Sequence, residues 1–362
     1  MIPYGRQHVD DDDIAAVVAV LKGDWLTRGP AVEAFEARIC EVTGARHAVA
    51  YANGTAALHG AAHAAGLGPG DTVYTSPLSF AASANCARYV GAEAAFVDID
   101  PTTLNLDLAQ VPDGADALVA VHYAGLPADL GRLRTRPRVI IEDAAQSMGA
   151  RTVDGPVGNC ARSDLCCFSF HPVKSVTTAE GGAVTTNHDQ MADRLRTFRH
   201  HGIVPDPTSG GWAYDIPALG FNYRLTDVQS ALGTSQLEKL DRFVTRRNVL
   251  AERYRELLAG APKVILPPAA PTGWRHAYHL FAVQVPNRAS VYDQLHRRGI
   301  GVQVHFVPTY RLGAYRTLGW DPVRFPNTEA AYEGLLSLPL FPDLTEADQD
   351  FVVDCLVDAL ES

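Results

Sequence analysis

Seven short apolar runs, spaced by stretches that suit helices, constrain this chain more than any other feature. They are Ala48–Ala52, Thr72–Thr75, Ala94–Asp98, Ala117–Tyr123, Arg138–Glu142, Leu165–Phe170 and Gly182–Thr186, rich in Val, Ala and aromatics. Helix-compatible segments such as Thr55–Ala65 and Phe80–Val90 separate several of them. Strands covered on both faces read as continuous apolar runs, and strand–helix alternation brings successive strands back parallel. The pattern predicts an α/β domain built on a large, mainly parallel seven-stranded sheet with helices on both faces. Ligands of such sheets collect at the C-terminal ends of the strands.

The rest of the chain reads around that core. Asp10–Asp13 followed by IAAVVAVL is a helix start, since acidic side chains suit the positive end of a helix. That electrostatic role accounts for the acid run without a metal. A second helix is expected over Ala31–Val42, ending at Gly44. From Thr226 to Leu258 apolar residues recur at helical spacing. Beyond, Tyr278–Val285 and Gly301–Val307 read as strands around a helix at Ala289–Arg298, and a helix at Glu346–Leu360 closes the chain. The proline-rich stretch Pro262–Gly273 reads as a loop. With 362 residues, two domains are the expectation: a large one over 1–238 and a smaller α+β one over 239–362, with the N-terminal helix free to pack on the smaller.

Charge and cysteine usage exclude several classes. The net charge is −10, which disfavours a nucleic-acid binder. It leaves room for a small anion, because backbone amides bind phosphate whatever the net charge. None of the six cysteines (Cys40, Cys86, Cys160, Cys166, Cys167, Cys355) falls in a CxxC pair. Free thiols in a reducing compartment are expected, not a disulfide framework or zinc site. The opening MIPYGRQHVDDDD lacks a basic start followed by an apolar stretch, and no apolar run reaches the ~18 residues a membrane span needs. A cytoplasmic location, no membrane partner and no bound metal are expected.

Three segments carry chemistry. Asn53-Gly54-Thr55 follows a strand and opens a helix, where unpaired amides suit a phosphate; a plain helix cap would use the same residues. Val139–Glu142 is an apolar strand running into Asp143, a carboxylate at a strand end. It suits a protonated ring nitrogen, or equally a helix N-cap. Third, FSFHPVKSVTTAEGG sets Lys174 alone after an apolar strand, among small and hydroxylated residues and before Gly181-Gly182. A lysine held away from water loses its proton more easily and becomes a nucleophile able to form a Schiff base. Phosphate cradle, ring-nitrogen acid and lysine in this order make joint chemical sense.

These residues resemble the sugar aminotransferases of the DegT group, which have the aspartate-aminotransferase-like fold (type I) of pyridoxal-phosphate (PLP) enzymes. The matches are NGTAAL, EDAAQSMGA, FSFHPVKSVTTAEGGAVTTN, GFNYRLTDVQSALG and LSLPLFPDLT, spread over nearly the whole chain. PYGRQHVDDDDI…WLTRGPAVEAFE, VQVHFVP and LGW…FPNTEAAYE resemble the branch of the pseudaminic acid pathway, which acts on a UDP-linked 4-keto sugar. The resemblance implies that Lys174 forms the Schiff base and Asp143 pairs with the pyridine nitrogen. Gln146, one helical turn on, would sit near the ring. It puts Gly54, Thr55 and Ser169 on the phosphate, Phe80 against the ring, and Asn222 on the phosphate of a neighbouring subunit's cofactor, hence a homodimer with shared sites. His305 and Arg224 are candidate substrate contacts, against a hydrogen-bonded strand histidine and a surface ion pair.

The implied reaction moves the amino group of L-glutamate, through pyridoxamine phosphate (PMP), to a UDP-linked 4-keto-6-deoxy-N-acetylhexosamine, giving the 4-amino sugar. A dTDP-linked keto sugar is the alternative substrate. Related dehydratases carry a histidine at the lysine position, and non-catalytic relatives lose the lysine or the acid. Here Lys174 and Asp143 are both present.

Overall fold

The computed structural model describes residues 1–361. Its large sheet has strands β1 (His47–Tyr51), β2 (Thr72–Thr75), β3 (Glu93–Phe96), β4 (Ala117–Val121) and β5 (Val139–Asp143). After the two-residue ladder of β6 (Arg151–Thr152) and β7 (Gly155–Pro156) come β8 (Leu165–Ser169) and β9 (Gly182–Thr186). The order is β1-β9-β8-β5-β4-β2-β3. β9 runs antiparallel to both neighbours, and the remaining pairs are parallel. The seven expected strands are all present, and their ends shift by two residues at most.

Burial on both faces explains why these strands read as unbroken apolar runs. Val49 and Tyr51 of β1 enter one core, while Ala48 and Ala50 enter another. In β5, Ile141 and Ile140 divide in the same way. Helices α1 (Asp11–Leu21), α2 (Pro30–Thr43), α3 (Gly54–Ala64), α4 (Ala82–Tyr89), α5 (Asp189–Arg199) and α6 (Asp227–Glu238) accompany the sheet. Asp10 caps α1 by accepting from the amide of Asp13, as the acid run suggested. Gly44 ends α2 at φ 80°, a left-handed cap that glycine adopts without strain. α1 packs along α6, and Ile2, ahead of α1, bridges to Ile300. The hairpin of β10 (Val204–Pro205) and β11 (Tyr214–Asp215) stands on the surface.

Helix α7 (Leu240–Leu257) spans two cores. Leu240, Phe243 and Val244 belong to the large-sheet core; Leu250, Ala251 and Tyr254 belong to a separate one. That second core is lined by β12 (Phe281–Gln284) paired antiparallel with β13 (Leu335–Leu338), by α8 (Arg288–Arg297) and by α11 (Glu346–Glu361). The short α9 (Gly313–Arg316) and α10 (Pro326–Gly334) lie between them in sequence. One expected strand is corrected: Gly301–Val307 makes only a single bridge, Gln303 to Ser337. The chain leaves the ladder there because Tyr123 Oη takes the carbonyl of His305 and Pro308 follows two residues after Phe306. No helix among the described residues is long and apolar enough to cross a membrane.

Candidate active site

The C-terminal ends of β4, β5 and β8 and the loops after β1 and β2 open on one cavity of about 660 Å³. Gly54, Thr55, Phe80, Asp143, Gln146, Ser169, Lys174 and His305 all line it. Residues distant in sequence converge because parallel strands end on one side of the sheet.

At the end of β1, Asn53 caps α3 by accepting from the amide of Ala56 at 2.9 Å. The amides of Gly54 and Thr55, in the first turn, have no carbonyl one turn back to bond. Glycine is required at 54 by close approach: a Cβ there would lie 2.9 Å from Cβ of Ser169. The second glycine of the Gly181-Gly182 pair is equally constrained, since a Cβ on Gly182 would meet the Asn53 carbonyl at 2.5 Å. This packing brings the start of α3 and the Ser169 hydroxyl together, forming a cradle of donors for an anion.

Asp143 ends β5 and is buried. Ser83 Oγ of α4 donates to its Oδ2 at 2.6 Å, and the amide of Ala145 donates to Oδ1 at 3.2 Å. No helix follows it. The N-cap alternative and the helical turn expected before Gln146 are both replaced by turns. Gln146 is fixed instead by its side-chain oxygen, which accepts from the amide of Ala124 at 2.6 Å. Glu142 belongs to a different network, with Nε2 of His122 2.8 Å away. The His122 Nδ1 accepts from the amide of Ala128, so its proton is on Nε2, toward Glu142.

Lys174 sits in a turn after β8. The hydroxylated residues behind it are structural: Thr177 Oγ1 donates to the Phe170 carbonyl at 3.0 Å and Thr178 Oγ1 to that of Glu180 at 2.9 Å. Removal from water lowers the Lys174 amine to about 8, against an upward pull from Asp143. Its Nζ lies 3.4 Å from Nε2 of His279. His305 faces the same space; its Nδ1 is 2.9 Å from Ser337 Oγ, and burial with Lys174 nearby takes it down to about 4, so it is uncharged at neutral pH. Phe80 exposes 61% of its surface at the cavity, with its ring centroid 6.2 Å from that of Phe306.

Asn222 and Arg224 lie elsewhere. Asn222 is exposed and bridged to His200 through its backbone. Arg224 Nη1 lies 2.9 Å from His200 Nδ1, in a separate hollow with Arg28 and Arg199. No carboxylate pairs with Arg224 among the described residues, so the surface ion pair is not formed within the chain. Sequence reasoning missed Ser83, which orients Asp143, and His279. The only trace of His279 was a polar residue inside the expected strand Tyr278–Val285, which in fact begins at Phe281.

Known proteins resemble this chain in sequence and in fold. The sequence profile of the DegT/DnrJ/EryC1/StrS aminotransferase family matches residues 7–357. The spore coat polysaccharide biosynthesis protein SpsC of Bacillus subtilis is 34% identical over 381 aligned positions, covering 99% of this chain and 97% of that protein. Spr1654 of Streptococcus pneumoniae in its PMP form superposes with a TM-score of 0.93 at 27% identity, over 100% of this chain and 99% of that one. Helicobacter pylori PseC, an aminotransferase involved in the biosynthesis of pseudoaminic acid, gives 0.90 at 26% identity, over 99% of each chain. The sheet order, the cavity with its lysine and acid, and the match over nearly the whole length have one reading: this chain belongs to the DegT/DnrJ/EryC1/StrS aminotransferase family.

Proposed function

We propose that the chain is a PLP-dependent aminotransferase that moves the amino group of L-glutamate to the C4 ketone of a UDP-linked 4-keto-6-deoxy-N-acetylhexosamine, releasing 2-oxoglutarate and the 4-amino sugar. One observation carries the cofactor reading. Of the four lysines (Lys22, Lys174, Lys239, Lys263), only Lys174 lines the cavity, and it shares that cavity with Asp143 and the Gly54–Ser169 cradle. Spr1654 has been solved in PLP and PMP forms, which supports the same cofactor here.

The residues fit the group. Gly54, Thr55 and Ser169 offer donors for its phosphate, Phe80 a ring to pack on, and Asp143 a carboxylate for its pyridine nitrogen. When bound, PLP supplies an electron sink for the carbon that bears the migrating amino group. Asp143 keeps the ring nitrogen protonated, with Ser83 orienting its carboxylate. Gln146 flanks the ring, tied to the 123–125 loop by its bond to Ala124. Lys174 takes the proton from the donor's α-carbon and hands it on, serving as base and then acid. An amine near pH 8 suits this, because a useful fraction is uncharged at neutral pH. His305, which lines the same cavity, meets the sugar. Asn222 and Arg224, outside their own chain's cavity, serve the site of a second subunit in a homodimer. The similarity to PseC, an aminotransferase involved in the biosynthesis of pseudoaminic acid, supports an acceptor sugar of that kind.

The test is the absorption of the PLP-loaded protein, followed by light scattering for its size in solution. Loss of the visible band with L-glutamate and its return with the UDP-linked keto sugar is the expected result. Return only with a dTDP-linked keto sugar would replace the nucleotide, and a monomer would remove the role of Asn222. No loss with glutamate would remove the donor.

A further inference from the structure

We propose that His279 is a positioning residue for the Lys174 amine: its Nε2, 3.4 Å from Nζ, holds that amine by a hydrogen bond whenever the amine is free of the cofactor. The inference rests on Lys174 being the cofactor lysine, as proposed above.

His279 is buried, and its Nδ1 has no partner among the described residues. A buried polar atom without a partner costs free energy, so an imidazole that served only to fill space would be replaceable by an apolar side chain of like size. Among the described residues, the one polar contact of this ring is with Lys174. The backbone behind it is held from several sides. Arg247 Nη1 donates to the carbonyls of Tyr278, His279 and Leu340, at 3.1, 3.4 and 2.8 Å. Tyr278 has φ 45°, a left-handed conformation rare for a bulky residue, and its amide donates to His276 Nδ1 at 2.8 Å. The amides of Ala277 and Leu280 donate to the carbonyls of Gly125 and Ala124, the loop that also fixes Gln146. Any Cβ on Gly125 would meet the His279 amide at 3.0 Å. The strap 276–280 is thus pinned in a strained shape that aims one ring at one amine.

The ring acts uncharged. Burial is the main cause, and Lys174, Arg247, His305 and His171 all push the same way. A neutral imidazole accepting at Nε2 takes an N–H of Lys174, keeps its own proton on Nδ1, and leaves the lysine lone pair free toward the cavity. His279 therefore orients the proton carrier and is not itself the base.

The test reads Lys174 without any cofactor. Limiting acetic anhydride labels the apoprotein across pH, and mass spectrometry of the Lys174 peptide gives the apparent pKa. Wild type is expected at about 8. His279→Leu removes an acceptor for the ammonium form, so the value should fall by about 1 unit. His279→Gln, whose amide oxygen reaches the place of Nε2, should return it to near wild type; His279→Asn, which is shorter, should not. In the loaded enzyme, His279→Asn should slow the glutamate half-reaction about 10-fold and raise its α-deuterium isotope effect, with KM unchanged. A merely structural histidine would instead admit water when removed, and the value would rise toward that of free lysine. A rise, no change, or equal values for Gln and Asn overturns the proposal. A protein that never forms the visible band overturns the PLP reading instead, whatever the labelling shows.

Discussion

Gly54→Ala isolates the phosphate cradle from the rest of the site. The added Cβ would stand 2.9 Å from Cβ of Ser169. Carbon atoms in contact prefer about 3.5–4.0 Å, so one side must retreat by about 0.6–1.1 Å. Ser169 ends a strand hydrogen-bonded to β5 and β9, which leaves the first turn of α3 to move. Overpacking of this kind costs about 1–3 kcal/mol. Alanine's helix propensity returns at most about 1 kcal/mol, and less at a helix start than in its interior, so the clash prevails. The displaced atoms include the amides of Gly54 and Thr55. If the whole cost falls on the phosphate, PLP binds about 5- to 150-fold more weakly. The assay is titration of the apoprotein with PLP, read by visible absorbance, with Gly260→Ala as the control because a Cβ on Gly260 meets nothing within 4 Å. Wild-type affinity in Gly54→Ala, with its fold intact by circular dichroism, would refute the cradle.

Three further outcomes follow from the same structure. Asp143→Ala should slow the glutamate half-reaction by about 10²–10³-fold and lower the Lys174 amine below about 8, because Asp143 is what raises it; unchanged stopped-flow rates would exclude the ring-nitrogen role. The rate at which apoprotein takes up PLP should rise with pH through about 8 and level off above it, since the uncharged amine is the reacting form. A flat profile would mean another nucleophile. Arg247→Met leaves three buried carbonyls without their donor and should cost about 2–4 kcal/mol in urea unfolding; a loss under about 0.5 kcal/mol would show that the clamp carries no stability.

The sheet was legible because its strands are covered on both faces, which turns each into a continuous apolar run with helix signals between. The cradle, Asp143 and Lys174 were legible because each follows such a strand directly, where a parallel sheet collects ligands. In the smaller core the helices over 289–298 and 346–360 and the strand within 278–285 were legible too, but the second strand and the place of His279 were not. Val302 is buried, as an apolar strand residue would be, yet Gly301–Val307 pairs once only, because tertiary contacts at His305 override the strand pattern. His279 escaped notice for a related reason. Its position depends on the left-handed turn at Tyr278 and the clamp from Arg247, 32 residues away, and neither leaves a local signature. The N-cap alternative at Asp143 was open in the sequence because Ala144 and Ala145 suit a helix; in the structure the Asp143 carboxylate accepts from the Ala145 amide at the head of a turn, and no helix follows.

With only four lysines in the chain, the one that carries the cofactor can be identified directly. The PLP-loaded protein is reduced with borohydride, digested, and searched by mass spectrometry for the phosphopyridoxyl group. The group is expected on the Lys174 peptide and on none of those bearing Lys22, Lys239 or Lys263. Stoichiometric modification of any of these three, or none at all in protein that shows the visible band, would contradict Lys174 as the cofactor lysine.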